Sequence, residues 1–352
     1  MSPSNSPTEG TSLKRLLILG TGGTIAGVGP APGSPVGYRA GALPIDQLLT
    51  SIPALGTLGE VHTEQVFSIA SEEMSTGHWL QLAGRLRALP DDPLPVDAVV
   101  ITHGTDTLEE TAFFLSLILP SSLPPVILTG AMRPSTALDA DGPGNLYKAC
   151  RFALAAHERG VGGTFVAFGD QVFRPDSVAK RHTSDVLAFG PRYGQPVAWM
   201  ESGQPVWSVP DTGLQSALAQ LTLPASPAEL APVALVHQHV DADPAQIDWL
   251  LSRGCRGIVL AGTGIGTMPG TMRAALAEAR RQGCLIVRGT RICTGFVGRN
   301  TEADPADSDE ALGFITAGWL DVLKARILLQ LCLQAGNADS HAIQALFDRC
   351  HP

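Results

Sequence analysis

The chain has 352 residues, 44% of them hydrophobic and 16% charged, with a formal net charge of −9 at pH 7. This length favours two domains with sizeable cores. The acidic balance, with no long block of Lys and Arg, excludes the basic footprint of a nucleic-acid binder, and no apolar run reaches the roughly 18 residues of a membrane span.

Residues 1–12 are polar and rich in Ser and Pro, without the apolar stretch of a secretory signal, and read as a loose tail. From 13 to 207, strand-like apolar runs (15–19, 61–69, 98–101, 126–129, 164–168) alternate with helical patterns (77–89, 108–119, 144–159). This βαβ rhythm predicts an N-terminal α/β domain with a parallel, doubly wound sheet covered on both faces. Thr107 and Glu110 have the spacing of a capping box for the second of those helices. The helix dipole then points its positive end at the turn of Thr105 and Asp106. Between 208 and 232 the pattern fades and prolines recur at 210, 224, 227 and 232, as in an interdomain linker. Residues 233–352 resume the alternation as a smaller α/β domain, with strands at 234–237, 257–260 and 285–288 and helices at 244–253, 271–282, 320–334 and 340–347.

Two turns follow buried-type strands. One reads Gly20-Thr21-Gly22-Gly23-Thr24-Ile25-Ala26-Gly27, the other Thr102-His103-Gly104-Thr105-Asp106-Thr107. Both bring a threonine hydroxyl to the carboxyl end of a central strand, where open parallel sheets bind ligands, beside glycines that permit close backbone approach. The stretch 27–44 after Thr24 is rich in Gly and Pro, has neither helical nor strand period, and carries Tyr38. It reads as a mobile lid or, alternatively, as a disordered insertion with a bystander tyrosine.

Familiar cofactor motifs fail on spacing. The dinucleotide pattern GxGxxG needs glycine at the positions of Ile25 and Thr267. His237 and His239 share a strand face without an evident third ligand, so metal binding is not expected. The six cysteines show no CxxC spacing and fit reduced thiols in a cytoplasmic protein. What remains is hydroxyl chemistry. A threonine is a weak nucleophile and needs a base or proton path. Lys180 could act as a base if burial lowers its pKa, Tyr38 could relay a proton, and Asp106 could orient the lysine or bind a substrate amino group. Backbone N–H groups at Gly22 to Thr24 and at Gly104 and Thr105 could hold an oxyanion.

The ordered set TGGTIAG, HGTDTLEET, Thr129-Gly130-Ala131-Met132-Arg133-Pro134-Ser135 and Asp141-Gly142-Pro143-Gly144-Asn145-Leu146 resembles the bacterial-type L-asparaginase family over nearly the whole chain. The resemblance implies a hydrolase of the side-chain amide of L-asparagine, often also of L-glutamine, with no metal or cofactor. It matches Thr24 to the nucleophile, Tyr38 to the assisting lid tyrosine, and Thr105 with Asp106 and Lys180 to the second half of the site. Ser71 matches the residue that holds the substrate α-carboxylate. Glu72, where some relatives have glutamine, and Asp106 match the grip on the α-ammonium. Gly23, Gly104 and Ala131 fall within the binding motifs. Glu302 is aligned with an acid that contacts the lid tyrosine, and Thr267 stands where many relatives carry a selectivity asparagine. The family builds each site with a neighbouring subunit's C-terminal domain, implying a dimer of tight dimers.

Two rivals accompany this expectation. An ammonia-producing amidotransferase subunit shares the threonine motifs but has an additional N-terminal domain, for which the position of the first motif is expected to leave no room. A non-catalytic amino-acid sensor using the same pocket is the other.

Overall fold

The computed structural model describes residues 13–31, 37–208, 221 and 223–351. The proposed tail, 1–12, lies outside them. Strand β1 (Arg15–Gly22) explains the N-terminal architecture. Leu16 and Ile18 point into one core with Ala98, Val100, Leu146 and Ala149, while Leu17 and Leu19 point into another with Val99, Ile101, Trp79 and Phe113. A strand buried on both faces must be apolar at every position, which is why the run lacks polar alternation.

Around it lie α1 (Ile45–Thr50), β2 (Glu60–Ile69), α2 (Thr76–Arg87), β3 (Ala98–Thr102), α3 (Leu108–Ile118), β4 (Val126–Thr129), α4 (Gly142–Glu158) and β5 (Thr164–Phe168). The five strands β2-β1-β3-β4-β5 pair in parallel. The sheet is nevertheless mixed: β6 (Gln171–Phe173), β9 (Ala198–Glu201) and β10 (Gln204–Trp207) extend it antiparallel to eight strands. These short strands carry no long apolar run, so periodicity alone did not reveal them. A separate two-stranded ribbon pairs β7 (Val178–Lys180) with β8 (Phe189–Pro191).

The C-terminal domain is a parallel sheet of β11 (Val233–His237), β12 (Gly257–Gly262), β13 (Leu285–Thr290) and β14 (Ile315–Thr316). Helices α5 (Ala245–Ser252) and α6 (Gly270–Arg281) cover one face through Ile247, Met272 and Leu276. The short α7 (Asp309–Leu312) precedes β14, and α8 (Val322–Gln334) and α9 (Ser340–Phe347) follow it. Leu328 and Leu331 of α8 share a continuous core with Val259 and Val287 and with Phe113 and Leu117 of α3. Each such buried side chain contributes about 1.5–3 kcal/mol, so the two domains meet through apolar packing.

In the described part of the stretch expected as a linker, Leu221, Leu230 and Ala231 are buried, and Ala231 O accepts a hydrogen bond from Gln330 at 3.1 Å; residues 209–220 lie outside the described residues. One expectation needs correction: the capping box does not form. Thr107 makes no side-chain cap; its hydroxyl donates to Ser71 O at 2.9 Å, and Glu110 meets Arg326 of α8 at 3.5 Å. Tertiary partners outcompete the local cap at both residues.

Candidate active site

The register Gly20↔Thr102 ends β1 and β3 side by side, so their two turns start together. Gly23, at φ 79°, is packed so closely that a Cβ on it would lie 2.4 Å from Gly104 N and Cα. A Cβ on Gly104 would lie 2.6 Å from Ser71 Cβ. The segments carrying Thr24 and Thr105 therefore abut backbone against backbone, and the Ser71 side chain packs directly on the Gly104 backbone.

Thr24 opens a buried 3-10 turn (Thr24–Ala26), and its Oγ1 lies 2.8 Å from the Tyr38 hydroxyl. The stretch expected as a lid is tied at both ends. Val28 pairs with Arg39, Gly41 N donates to Gly23 O at 2.9 Å, Gly29 N donates to Thr136 Oγ1 at 2.8 Å, and Ser135 Oγ donates to Gly27 O at 2.7 Å. Residues 32–36, at its centre, lie outside the described residues. Gly23 N donates to Ile69 O at 2.8 Å, which removes it from the oxyanion donors that the sequence offers.

Thr105 is buried and accepts a hydrogen bond from Lys180 Nζ at 2.8 Å. The same ammonium pairs with Asp106 Oδ1 at 2.6 Å. Ser71 Oγ donates to Asp106 Oδ2 at 3.3 Å and accepts from Asp106 N at 3.2 Å. Glu72 stands exposed beside Ser71. Ala131 is fully buried just beyond β4, and Gly130 before it presses on the Thr105 turn: a Cβ there would lie 2.5 Å from His103 O and 3.3 Å from Thr105 Cγ2. The Asp141 carboxylate holds that segment by accepting from Met132 N and Arg133 N, each at 2.9 Å. Upstream of Lys180, buried Asp176 accepts from Arg174 at 3.0 and 2.7 Å and from the Tyr193 hydroxyl at 2.8 Å. A cleft of about 550 Å³ opens on Asp106, Glu109, Lys180 and His182.

His103, fully buried, stiffens the second turn. Its Nδ1 lies 2.7 Å from Gly104 O, an acceptor only, so Nδ1 carries the proton. Nε2 then accepts from Thr111 Oγ1 at 3.0 Å, and Thr111 accepts from Trp79 Nε1 at 2.8 Å. Burial pushes the imidazole pKa down to about 4, so the ring is neutral near pH 7.

Thr24 with Tyr38, and Thr105 with Asp106, Lys180 and Ser71, are thus brought together. Thr267 and Glu302 are not. Both lie in the C-terminal domain, where Thr267 Oγ1 donates to Thr263 O at 3.0 Å and Glu302 pairs with Arg273 at 2.8 Å. Among the described residues neither bonds to the N-terminal turns. Sequence reasoning passed over His103, Glu109 and Lys324. His103 sits inside the quoted motif, and Lys324 stands in the first turn of a leucine-rich helix without a sequence pattern that marks its partners in the N-terminal domain.

Family models for "Asparaginase, N-terminal" and "Glutaminase/Asparaginase C-terminal domain" match residues 15–211 and 232–347. A glutaminase-asparaginase of Pseudomonas aeruginosa is 35% identical, covering 95% of this chain and 90% of its own. L-asparaginase 2 of Escherichia coli is 36% identical, covering 96% and 94%. The crystal structure of a probable cytoplasmic L-asparaginase from Campylobacter jejuni superposes with a TM-score of 0.83 at 35% identity, covering 96% of this chain and 99% of that one. With both family regions matched in order and this identity sustained over nearly its whole length, the chain belongs to the asparaginase family.

Proposed function

We propose that this chain is an amidohydrolase that splits the side-chain amide of L-asparagine into L-aspartate and ammonia, with L-glutamine accepted by the same site. The observation that carries this reading is the pair of threonine hydroxyls on abutting turns, one against a phenol and the other against a lysine ammonium.

Ser71 holds the substrate α-carboxylate, and Asp106 and Glu72 hold the α-ammonium, as charge requires. Thr24 Oγ1 attacks the side-chain carbonyl carbon. Its proton is relayed through the Tyr38 hydroxyl, 2.8 Å away: as Tyr38 takes the threonine proton it passes its own on to the leaving amide nitrogen, the C–N bond breaks, and ammonia departs. Backbone N–H groups of the two turns stabilise the oxyanion. Water then cleaves the acyl-enzyme, oriented by Thr105 and Lys180. Closure of the segment bearing Tyr38 keeps bulk water out while the ester forms.

The site is completed by a second copy of the chain, which presents Thr267 and Glu302. Support comes from the apolar side chains near those residues: Ile265 and Phe296 are each 51% exposed, as an uncovered interface would be. Six free cysteines fit a reducing compartment, and the cytoplasm is the inferred place of action; no helix of the described residues is long and apolar enough to cross a membrane.

Ammonia release from purified protein, with L-asparagine, L-glutamine and their D-forms, tests the reading. Rapid release from the L-amides is expected, and an inert protein that still binds asparagine would make it a sensor instead.

A further inference from the structure

Lys180 belongs to β7, which among the described residues pairs only with β8 and is not hydrogen-bonded into either main sheet. Its distance from Thr105 must therefore be set by other contacts. The most deeply placed of these is a lysine from the other domain. Lys324, in the first turn of α8, has no exposed surface, and its ammonium donates to Val178 O at 2.8 Å, Glu109 Oε2 at 2.9 Å and Asp321 Oδ2 at 2.6 Å. These three acceptors satisfy all three of its donors.

Two of them lie on the segments that form the Thr105 half of the site. Val178 is two residues before Lys180 on the same strand. Glu109 is in the first turn of α3, directly after Asp106 and Thr107, and its second oxygen accepts from Lys180 N at 3.4 Å. Glu109 thus joins Lys324 to the main chain of Lys180 itself. Burial pushes the Lys324 pKa down, but the Asp321 and Glu109 carboxylates outweigh it and raise the value, so the ammonium stays charged. A buried charge tolerates little displacement of its partners, which makes the cluster a stiff spacer.

We propose that Lys324, acting through Glu109 and Val178, is a positioning residue that sets the reach of Lys180 Nζ to Thr105 from across the domain boundary. The proposal rests on the assignment of Lys180 to the Thr105 half of the site. Domain docking and the hydrolytic step are then coupled through one side chain, although Lys324 touches no substrate.

Three variants separate positioning from plain stabilisation. Glu109→Gln keeps an acceptor for Lys324 or for Lys180 N, but not for both. Lys324→Met removes the ammonium at similar volume. Asp321→Asn touches the same ammonium without contacting β7, and retains a capping oxygen for Lys324 N, which Asp321 bonds at 2.9 Å. Ammonia release from L-asparagine gives kcat and KM, and thermal melting monitors the fold. Glu109→Gln and Lys324→Met are expected to lower kcat about 10- to 100-fold, with KM within about threefold. Asp321→Asn lowers the melting temperature yet keeps kcat within about twofold. Wild-type kcat in Glu109→Gln, or an equal loss in Asp321→Asn, overturns the proposal; if Lys324→Met does not fold, Glu109→Gln decides alone. Lys180→Ala is measured in parallel. Wild-type kcat there defeats the assignment of Lys180, whereas an inactive Lys180→Ala beside a fully active Glu109→Gln defeats only the role of Lys324.

Discussion

Thr24 and Thr105 sit on touching turns but are held in opposite ways. Thr105 ends a charged chain that runs inward, from Lys180 through Glu109 to the buried Lys324. Its turn is stiffened from behind by neutral His103. Thr24 has one neutral partner, the Tyr38 hydroxyl, carried on a segment tied back at its ends. A charged, buried support keeps its geometry with or without substrate. A phenol on a loop supplies its contact where the loop closes. The difference suits the roles proposed above: for Thr24, a nucleophile that must be released and covered in each cycle, and for Thr105, a water-orienting group that must not move.

Thr24→Ala should have the largest effect on this contrast, lowering kcat on the order of 10⁴-fold with the melting temperature retained. A variant that kept a tenth of the activity would remove Thr24 from the chemistry. Tyr38→Phe deletes only the hydroxyl and should cost about 10²- to 10³-fold in kcat, with little change in stability. Equal damage to the fold would show that the loop, not the phenol, was at stake.

The Thr105 side can be probed by pH. Burial lowers the His103 pKa from 6.5 to about 4, so below pH 6.5 the unfolded chain binds a proton that the folded chain does not. Stability from this group is therefore complete above pH 6.5 and lost as pH falls towards 4, on the order of 3 kcal/mol in all. Urea unfolding at pH 7 and pH 4.5 measures it; His103→Gln should flatten the acid limb, and an unchanged limb would assign the loss to other groups. The smallest effect is expected at Glu72. It is exposed and, in the proposed reading, grips the α-ammonium shared by both amides, so Glu72→Gln should change the ratio of kcat/KM for asparagine over glutamine by less than about tenfold. A wild-type ratio of several orders of magnitude would contradict the proposed acceptance of L-glutamine by the same site.

Most of the central sheet was legible because β1, β3 and β4 are buried on both faces, and apolar runs of only four or five residues, alternating with longer helical patterns, fit parallel strands. The edge strands β6, β9 and β10 were not, since three- and four-residue strands owe their pairing to neighbours already in place. The two threonine turns were legible because the glycines at 23 and 104 mark where backbones must touch. The capping box at Thr107 misled because its half-buried hydroxyl takes a tertiary acceptor, here Ser71 O, in place of a helix N–H. The reach of Lys324 into the N-terminal domain could not be read from sequence, because Val178 and Glu109 lie 146 and 215 positions away.

The division of labour between the two threonines is tested most directly by mass spectrometry of acid-quenched Thr105→Ala enzyme during turnover of L-asparagine. An aspartyl ester accumulating on Thr24 is the predicted result. An adduct on Thr105 in the wild-type enzyme, with Thr24 unmodified in every variant, would contradict it.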